Sequence, residues 1–153
     1  MGKTPAPPGA GEGKRGEEGH LGYLLRQAGV AFRGHMERAL ADLAATPPQF
    51  TVLTMLAAYP GLSNADLARL SLLTPQTVSV IIGNLKRSGL VQARPHAVHG
   101  RIRHLELTPA GRAMLARCRR RVLAVEQRLG AGLAPQEEAA IRRWLVRIAV
   151  EPG

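Results

Sequence analysis

The chain has 153 residues, enough for one domain with a core, and 45% of them are hydrophobic. Only 3% are aromatic, so Leu, Ala, Val and Ile must supply that core, and a formal charge of +10 calls for an anionic partner, either nucleic acid or a membrane surface. A single cysteine excludes an internal disulfide and a cysteine-based zinc site and suits a reducing cytoplasm. No apolar run approaches the roughly 18 residues of a membrane span, and no apolar core follows the N-terminal basic residues as a secretory signal requires.

Residues 1–19, MGKTPAPPGAGEGKRGEEG, offer Gly, Pro and charge but nothing to bury, and read as a disordered tail. From His20 to about Leu43, apolar residues recur at steps of three and four: Leu21, Leu25, Ala28, Phe32, Met36, Ala39 and Leu43. A long helix is expected there. Thr46-Pro47-Pro48-Gln49 is a capping box with proline at the first helical position, and the helix it opens presents Phe50, Leu53, Leu56 and Ala57 until Pro60-Gly61 stops it. Ser63 caps the next helix, with Asp66 in its first turn and Leu67, Leu70 and Leu73 facing inward. Thr74-Pro75 starts another within about two residues. Its buried face is Val78, Ile81, Ile82 and Leu85, and Gly89 ends it. Two helices joined by so tight a turn make a helix-turn-helix pattern.

Leu90 to Arg94 reads as a short strand, and Ile102 to Leu107, with its apolar and polar alternation, as a second. Residues 95–101 form the hairpin loop between them, so the pair makes a wing. Thr108-Pro109 opens a long helix whose seam is Leu115, Cys118, Val122, Val125 and Leu129, coiled-coil-like over about two heptads. Arg117 to Arg121 lie beside that seam. Pro135 opens a last helix with a face of Ile141, Trp144, Leu145 and Ile148. The fold class expected is mainly α (α+β): a winged helix-turn-helix lobe at 46–108 flanked by long helices at 20–45 and 109–150.

The charge follows these divisions. Residues 1–20 balance, 46–108 hold six basic and two acidic side chains, and 109–153 hold nine and four. A helix that reads DNA must fit the major groove and expose hydrogen-bonding side chains. With its apolar face buried, the helix from Pro75 leaves Gln76, Thr77, Ser79, Val80, Gly83, Asn84 and Arg87 outward. Gln76 can read adenine bidentately, Thr77 and Ser79 can reach bases or phosphates, and Val80 can touch a thymine methyl. Lys86 and Arg87 suit phosphates. Thr74 stands at the start of this helix. Ser63 and Asn64 open the one before it, whose amide end could accept a phosphate, although Ser63 serves equally as a plain cap.

The segment RPHAVHGRIRH, residues 94–104, holds three of the five histidines and three arginines. A metal site needs three or four converging ligands. His96, His99 and His104 are not spaced to converge, and Glu106 is the only acid nearby. No nucleophile–base pairing, carboxylate pair or phosphate loop points to catalysis, and nothing calls for a cofactor. A wing carrying His99, Arg101 and Arg103 beside DNA fits better, with Arg101 entering a narrow minor groove and the histidines as incidental polar or phosphate-facing groups. Cys118 reads as core packing, with an oxidation sensor as the alternative.

The order long helix, three short helices, two-strand wing and two long helices resembles the MarR family of bacterial winged helix-turn-helix transcription regulators. The stretch LARLSLLTPQTVSVIIGNLKRSGLVQARP, then RHLELTPAGRAML, carries the likeness, with Leu107-Thr108-Pro109-Ala110-Gly111 and Gly89-Leu90-Val91 in the family's places. The resemblance covers residues 20–150. It implies a homodimer interlocked through its N- and C-terminal helices, a pseudo-palindromic double-stranded operator, repression, and release by a small aromatic or phenolic effector. The effector crevice it implies lies between the dimerisation helices and the DNA-binding lobe, at Phe32, His35, Met36 and Phe50, although Phe32, Met36 and Phe50 read more readily as plain core. Two departures stand out. Many relatives carry a basic side chain where Val80 stands here, and the family's wing often places an acid and two arginines where this chain has His99, Gly100 and Arg101. The charge alone also admits a low-specificity architectural DNA-binding protein.

Overall fold

The computed structural model describes residues 6–95, 97, 98, 100 and 103–151, with Arg103 described for its backbone only. Helix α1 spans Leu21–Leu40 and passes into a 3-10 turn at Ala41–Leu43. There follow α2 (Pro47–Ala58), α3 (Asn64–Ser71), α4 (Pro75–Arg87), strands β1 (Val91–Pro95) and β2 (Arg103–Leu107), α5 (Pro109–Gly130) and α6 (Pro135–Val150). Among the described residues, no helix is long and apolar enough to cross a membrane.

Each short helix starts where its cap demands. The Thr46 hydroxyl accepts from the Gln49 amide at 3.3 Å, while the Gln49 side chain accepts from the Thr46 amide at 3.0 Å. Ser63, Thr74 and Thr108 cap α3, α4 and α5 in the same way, each accepting from the backbone three residues on. Helix α3 ends at Leu72, which is in the left-handed region at φ 56°. The Leu73 amide reaches back to the Ala68 carbonyl there at 3.0 Å, so the chain turns directly into α4.

Two apolar clusters follow. One lies under the helix-turn-helix and wing: Val52, Leu53, Leu56, Leu67, Val78, Ile81, Ile82, Leu85, Val91, Leu105, Leu107 and Leu115. The other joins α1 to α5 through Met36, Leu40, Leu43, Cys118, Val122 and Val125. Cys118, Val122 and Val125 of the α5 seam are therefore packed against α1 and the turn after it in the same chain, Leu115 joins the first cluster, and Leu129 at the seam's end is exposed. Leu70, expected to face inward, is also exposed, and Ser71 takes the buried place beside it. The reason is the register of α3, whose buried residues are Leu67, Ala68 and Ser71.

On α1 the apolar face is buried only toward its C-terminal end. Leu21, Leu25 and Ala28 are exposed, as are Ile141, Leu145 and Ile148 on α6. Residues 6–19, with little to bury, are tied down by polar bonds instead. The Arg15 guanidinium donates to the Gln27 side-chain oxygen on α1 at 3.1 Å, and the Gln27 amide donates to the Arg15 carbonyl at 3.0 Å.

Candidate nucleic-acid interface

Helix α4 is seated by Val78, Ile81, Ile82 and Leu85, all buried. That places Gln76, Val80, Gly83 and Arg87, spaced four, three and four, on the opposite side. Gln76, Thr77, Ser79, Lys86 and Arg87 are exposed, Asn84 is half-buried, and Val80 is 63% exposed although apolar. Gly83 stands in the middle of this face. A Cβ there would touch only the flexible end of Arg87, at 3.7 Å, so the backbone is open to close approach.

Several of the polar groups hold one another. The Asn64 side chain donates to the Ser79 hydroxyl at 3.2 Å, fixing the start of α3 against α4. The Thr74 and Thr77 hydroxyls lie 2.9 Å apart, and Arg87 donates to Asn84. Among the described residues, Gln76 and Lys86 form no side-chain hydrogen bond or ion pair and are free to meet a partner. The Ser63 hydroxyl is engaged: it donates to the Asp66 carboxylate at 2.6 Å and accepts from the Asp66 amide at 3.1 Å. That bond from Ser63, followed by the bond from Arg69, lowers the Asp66 pKa below its ordinary value. Ser63 is thus a cap tied to its own helix.

Strands β1 and β2 pair antiparallel, with Val91 opposite Leu107, Ala93 opposite Leu105 and Pro95 opposite Arg103. The stem is braced where the sequence showed no acid at the loop. Glu106 accepts from the Arg94 guanidinium and from the Gln92 side-chain amide, each at 2.5 Å. The signal was present in the strand period, which puts Gln92, Arg94, His104 and Glu106 on one face. His104 is not an incidental group. It packs on the turn between α2 and α3, where a Cβ on Gly61 (φ 86°) would lie 2.5 Å from its Nδ1 and 3.1 Å from its Cε1. Of the wing residues named for DNA, His99 and Arg101 lie outside the described residues, as does the Arg103 side chain; so do His96 and Ile102.

The base of the wing is locked to α5. The Thr108 hydroxyl donates to the Gly89 carbonyl at 2.6 Å and accepts from the Gly111 amide at 3.0 Å. The Thr108 amide donates to the Leu90 carbonyl at 3.1 Å. Leu107-Thr108-Pro109-Ala110-Gly111 is therefore the joint between the wing and α5.

Phe32, Met36 and Phe50 come together, Met36 buried and the two rings half-buried beside it. His35 does not join them. It is exposed and lines a separate cleft with Arg38, Asp42, Arg121 and Arg128. Cys118 is buried, and burial pushes its thiol pKa up against a smaller opposing effect of Arg117, the reverse of what a reactive thiolate needs. Among the described residues, no group of three or more His, Cys, Asp or Glu is placed to hold a metal ion.

Comparison with known proteins gives one consistent result. Residues 46–102 match the MarR family profile. The chain is 37% identical over 133 residues to the HTH-type transcriptional repressor Rv2887 of Mycobacterium tuberculosis, covering 86% of this chain and 95% of the relative. The crystal structure of Rv2887 in complex with DNA superposes with a TM-score of 0.68 at 35% identity, covering 84% of this chain and 97% of that one. Its complex with salicylic acid gives 0.70 at 34%, covering 86% and 98%. The transcriptional repressor CouR, bound to a 23-mer DNA duplex, gives 0.76 at 30%, covering 85% and 92%. A winged helix-turn-helix between long flanking helices, with this degree of identity along nearly the whole of a known repressor, places the chain in the MarR family.

Proposed function

We propose that this protein is a sequence-specific DNA-binding transcription repressor that works as a homodimer and is released from its operator by a small aromatic acid. It acts through binding and not through catalysis, in the cytoplasm where its DNA is. The observation that carries the reading is the outward face of α4: Gln76, Val80, Gly83 and Arg87 aligned on a helix held rigid by its own core, with Gln76 free. Relatives at 30% and 35% identity have structures bound to DNA, which supports the same use of the face.

In this reading α4 enters the major groove and Gln76 reads a base edge, with Val80 against a thymine methyl. Thr77, Ser79, Asn64 and Thr74 line the approach, and Lys86 and Arg87 take phosphates, with Ser63 holding the helix that supports them. Arg101 and Arg103, with His99, serve the wing's contact. Residues 46–108 are the DNA-binding lobe, and 20–45 with 109–150 the dimerisation lobe. The exposed apolar residues of α1 and α6, Leu21, Leu25, Ile141, Leu145 and Ile148, supply the dimer surface. Two lobes related by a two-fold axis read half-sites about one helical turn apart, hence a pseudo-palindrome. An effector near Phe32, Met36 and Phe50 would shift the population of lobe spacings away from that match.

The test is footprinting on the DNA flanking the protein's own gene, with and without salicylate. A protected two-fold site that opens with ligand supports the proposal. Protection nowhere along that DNA contradicts it.

A further inference from the structure

The wing stem stands on the helix-turn-helix at a second point besides the shared apolar core. Strand β2 carries His104, half-buried, directly opposite Arg94 of β1 and on the same face as Glu106. Its imidazole lies against Gly61, where a Cβ would come within 2.5 Å of Nδ1. Gly61 has a positive φ, as do Gly11, Gly13, Gly89 and Gly132. At those other four the place of the missing Cβ is open space. A positive φ by itself asks only for a glycine. At Gly61, unlike those four, a ring also fills the gap, so the contact is an addition to the turn. The far side of the turn leads to α4. Leu62 is packed on the core, Ser63 caps α3 and is held by Asp66, and Asn64 donates to Ser79 on α4 at 3.2 Å. Gly61 and Asn64 are three residues apart, at most about 10 Å of chain. On the stem itself, Glu106 holds Arg94 and Gln92. His104 thus ties a braced strand pair to the start of the helix pair whose second member is α4.

We propose that His104, seated on Gly61, is a positioning residue for DNA binding: it sets the angle of the wing to α4, so that the wing tip meets a minor groove while α4 lies in the adjacent major groove. The assignment rests on the DNA-binding reading above. Two contacts carried by one rigid body reinforce each other only when both can be made at once. A stem free to swing must be ordered afresh at each binding event, and the contact at its tip then adds little affinity. The assignment concerns the stem and its footing; Arg101, at the tip, lies outside the described residues.

The experiment is a set of gel-shift titrations of the full chain on the footprinted DNA, combining His104→Ala with Arg101→Ala and, separately, with Gln76→Ala. In the wild-type background Arg101→Ala should weaken binding about tenfold, the loss of one charge-assisted contact. His104→Ala should weaken it by a similar factor. In the His104→Ala background, Arg101→Ala should then cost less than about twofold, while Gln76→Ala keeps its full effect. A merely structural role would lower the folded fraction and leave the Arg101 and Gln76 ratios unchanged, so the non-additivity reads positioning itself. Gly61→Ala, which puts a methyl group where the ring sits, should give the same pattern and keeps the test open if His104→Ala folds poorly. An Arg101→Ala effect as large in both variant backgrounds as in the wild type would overturn the assignment. So would loss of the Gln76 effect along with the Arg101 effect, or an Arg101→Ala variant that binds as the wild type does. The repressor proposal is read separately: it falls if neither Gln76→Ala nor Arg101→Ala weakens binding in the wild-type background, and it stands if both do and only the non-additivity is missing.

Discussion

Gly111 lies directly beneath the backbone of Leu90, so closely that a Cβ on residue 111 would sit 2.9 Å from the Leu90 carbonyl carbon and nearer still to its oxygen. The obstacle is backbone, already fixed by the bond from Thr108 to the same carbonyl, so it cannot swing aside. Gly111→Ala should cost about 3 kcal/mol, the upper end for overpacking. Urea unfolding monitored by circular dichroism measures it, and a loss below about 1 kcal/mol would mean that the joint is pliable.

Gly83 presents the opposite case. It is open, helical, and has room for a methyl group. Replacing glycine by alanine inside a helix stabilises by roughly 0.5–1 kcal/mol. Gly83→Ala should therefore raise the melting temperature while weakening operator binding, because the added methyl stands between the helix backbone and the DNA. A variant that is more stable and binds DNA as well as the wild type would remove Gly83 from the contact face.

The exposed apolar face of α6 gives a prediction about assembly. Leu145→Glu places a charge on a residue that packs against little within its own chain, so the folded monomer should tolerate it, with a stability change inside about 1 kcal/mol. The dimer should not. Light scattering should show half the mass of the wild type; an unchanged mass would exclude this face from the interface.

Asp66 supplies a pH dependence. Its folded pKa is lowered by the Ser63 hydroxyl first and Arg69 second. Stability from this contact is therefore present above the unfolded value, near 3.8, and is lost as pH falls through the lower folded value. Ser63→Ala should move the Asp66 carboxyl titration, followed by carbon-13 NMR, upward toward its ordinary range. A midpoint that stays where it was would assign the shift to Arg69 alone.

The helix-turn-helix was legible because each of its signals is local. Caps at Thr46, Ser63, Thr74 and Thr108, a left-handed stop at Gly89 and the period of Val78, Ile81, Ile82 and Leu85 all act within a few residues. The family likeness rested on the same local features in order. Relations that span the chain were not legible. Asp42 meets Arg121 across 79 residues, and periodicity says nothing of which charges will meet. The seam of α5 showed an apolar face but not what covers it: Met36, Leu40 and Leu43 of the same chain cover Cys118, Val122 and Val125, and Leu129 is left exposed. Leu70 fell on the wrong side because an eight-residue helix carries too few turns to fix its phase, and buried Ser71 disguised the true face. On the wing, the loop shows no acid in the sequence, yet Glu106, in the stem, holds Arg94 and Gln92. His104 needed the position of Gly61, more than 40 residues earlier, to show its role.

The central claim is that α4 reads sequence and that the charge of +10 does not bind DNA by itself. The most direct measurement is a salt titration of binding to the footprinted site and to a random duplex of equal length. At physiological salt the site should bind at least about a thousandfold more tightly than the random duplex. Affinity for both should fall with salt as phosphate contacts release counterions, and the gap between them should persist. Equal affinity and equal slope on the two duplexes would contradict the account and leave a basic protein that coats DNA without reading it.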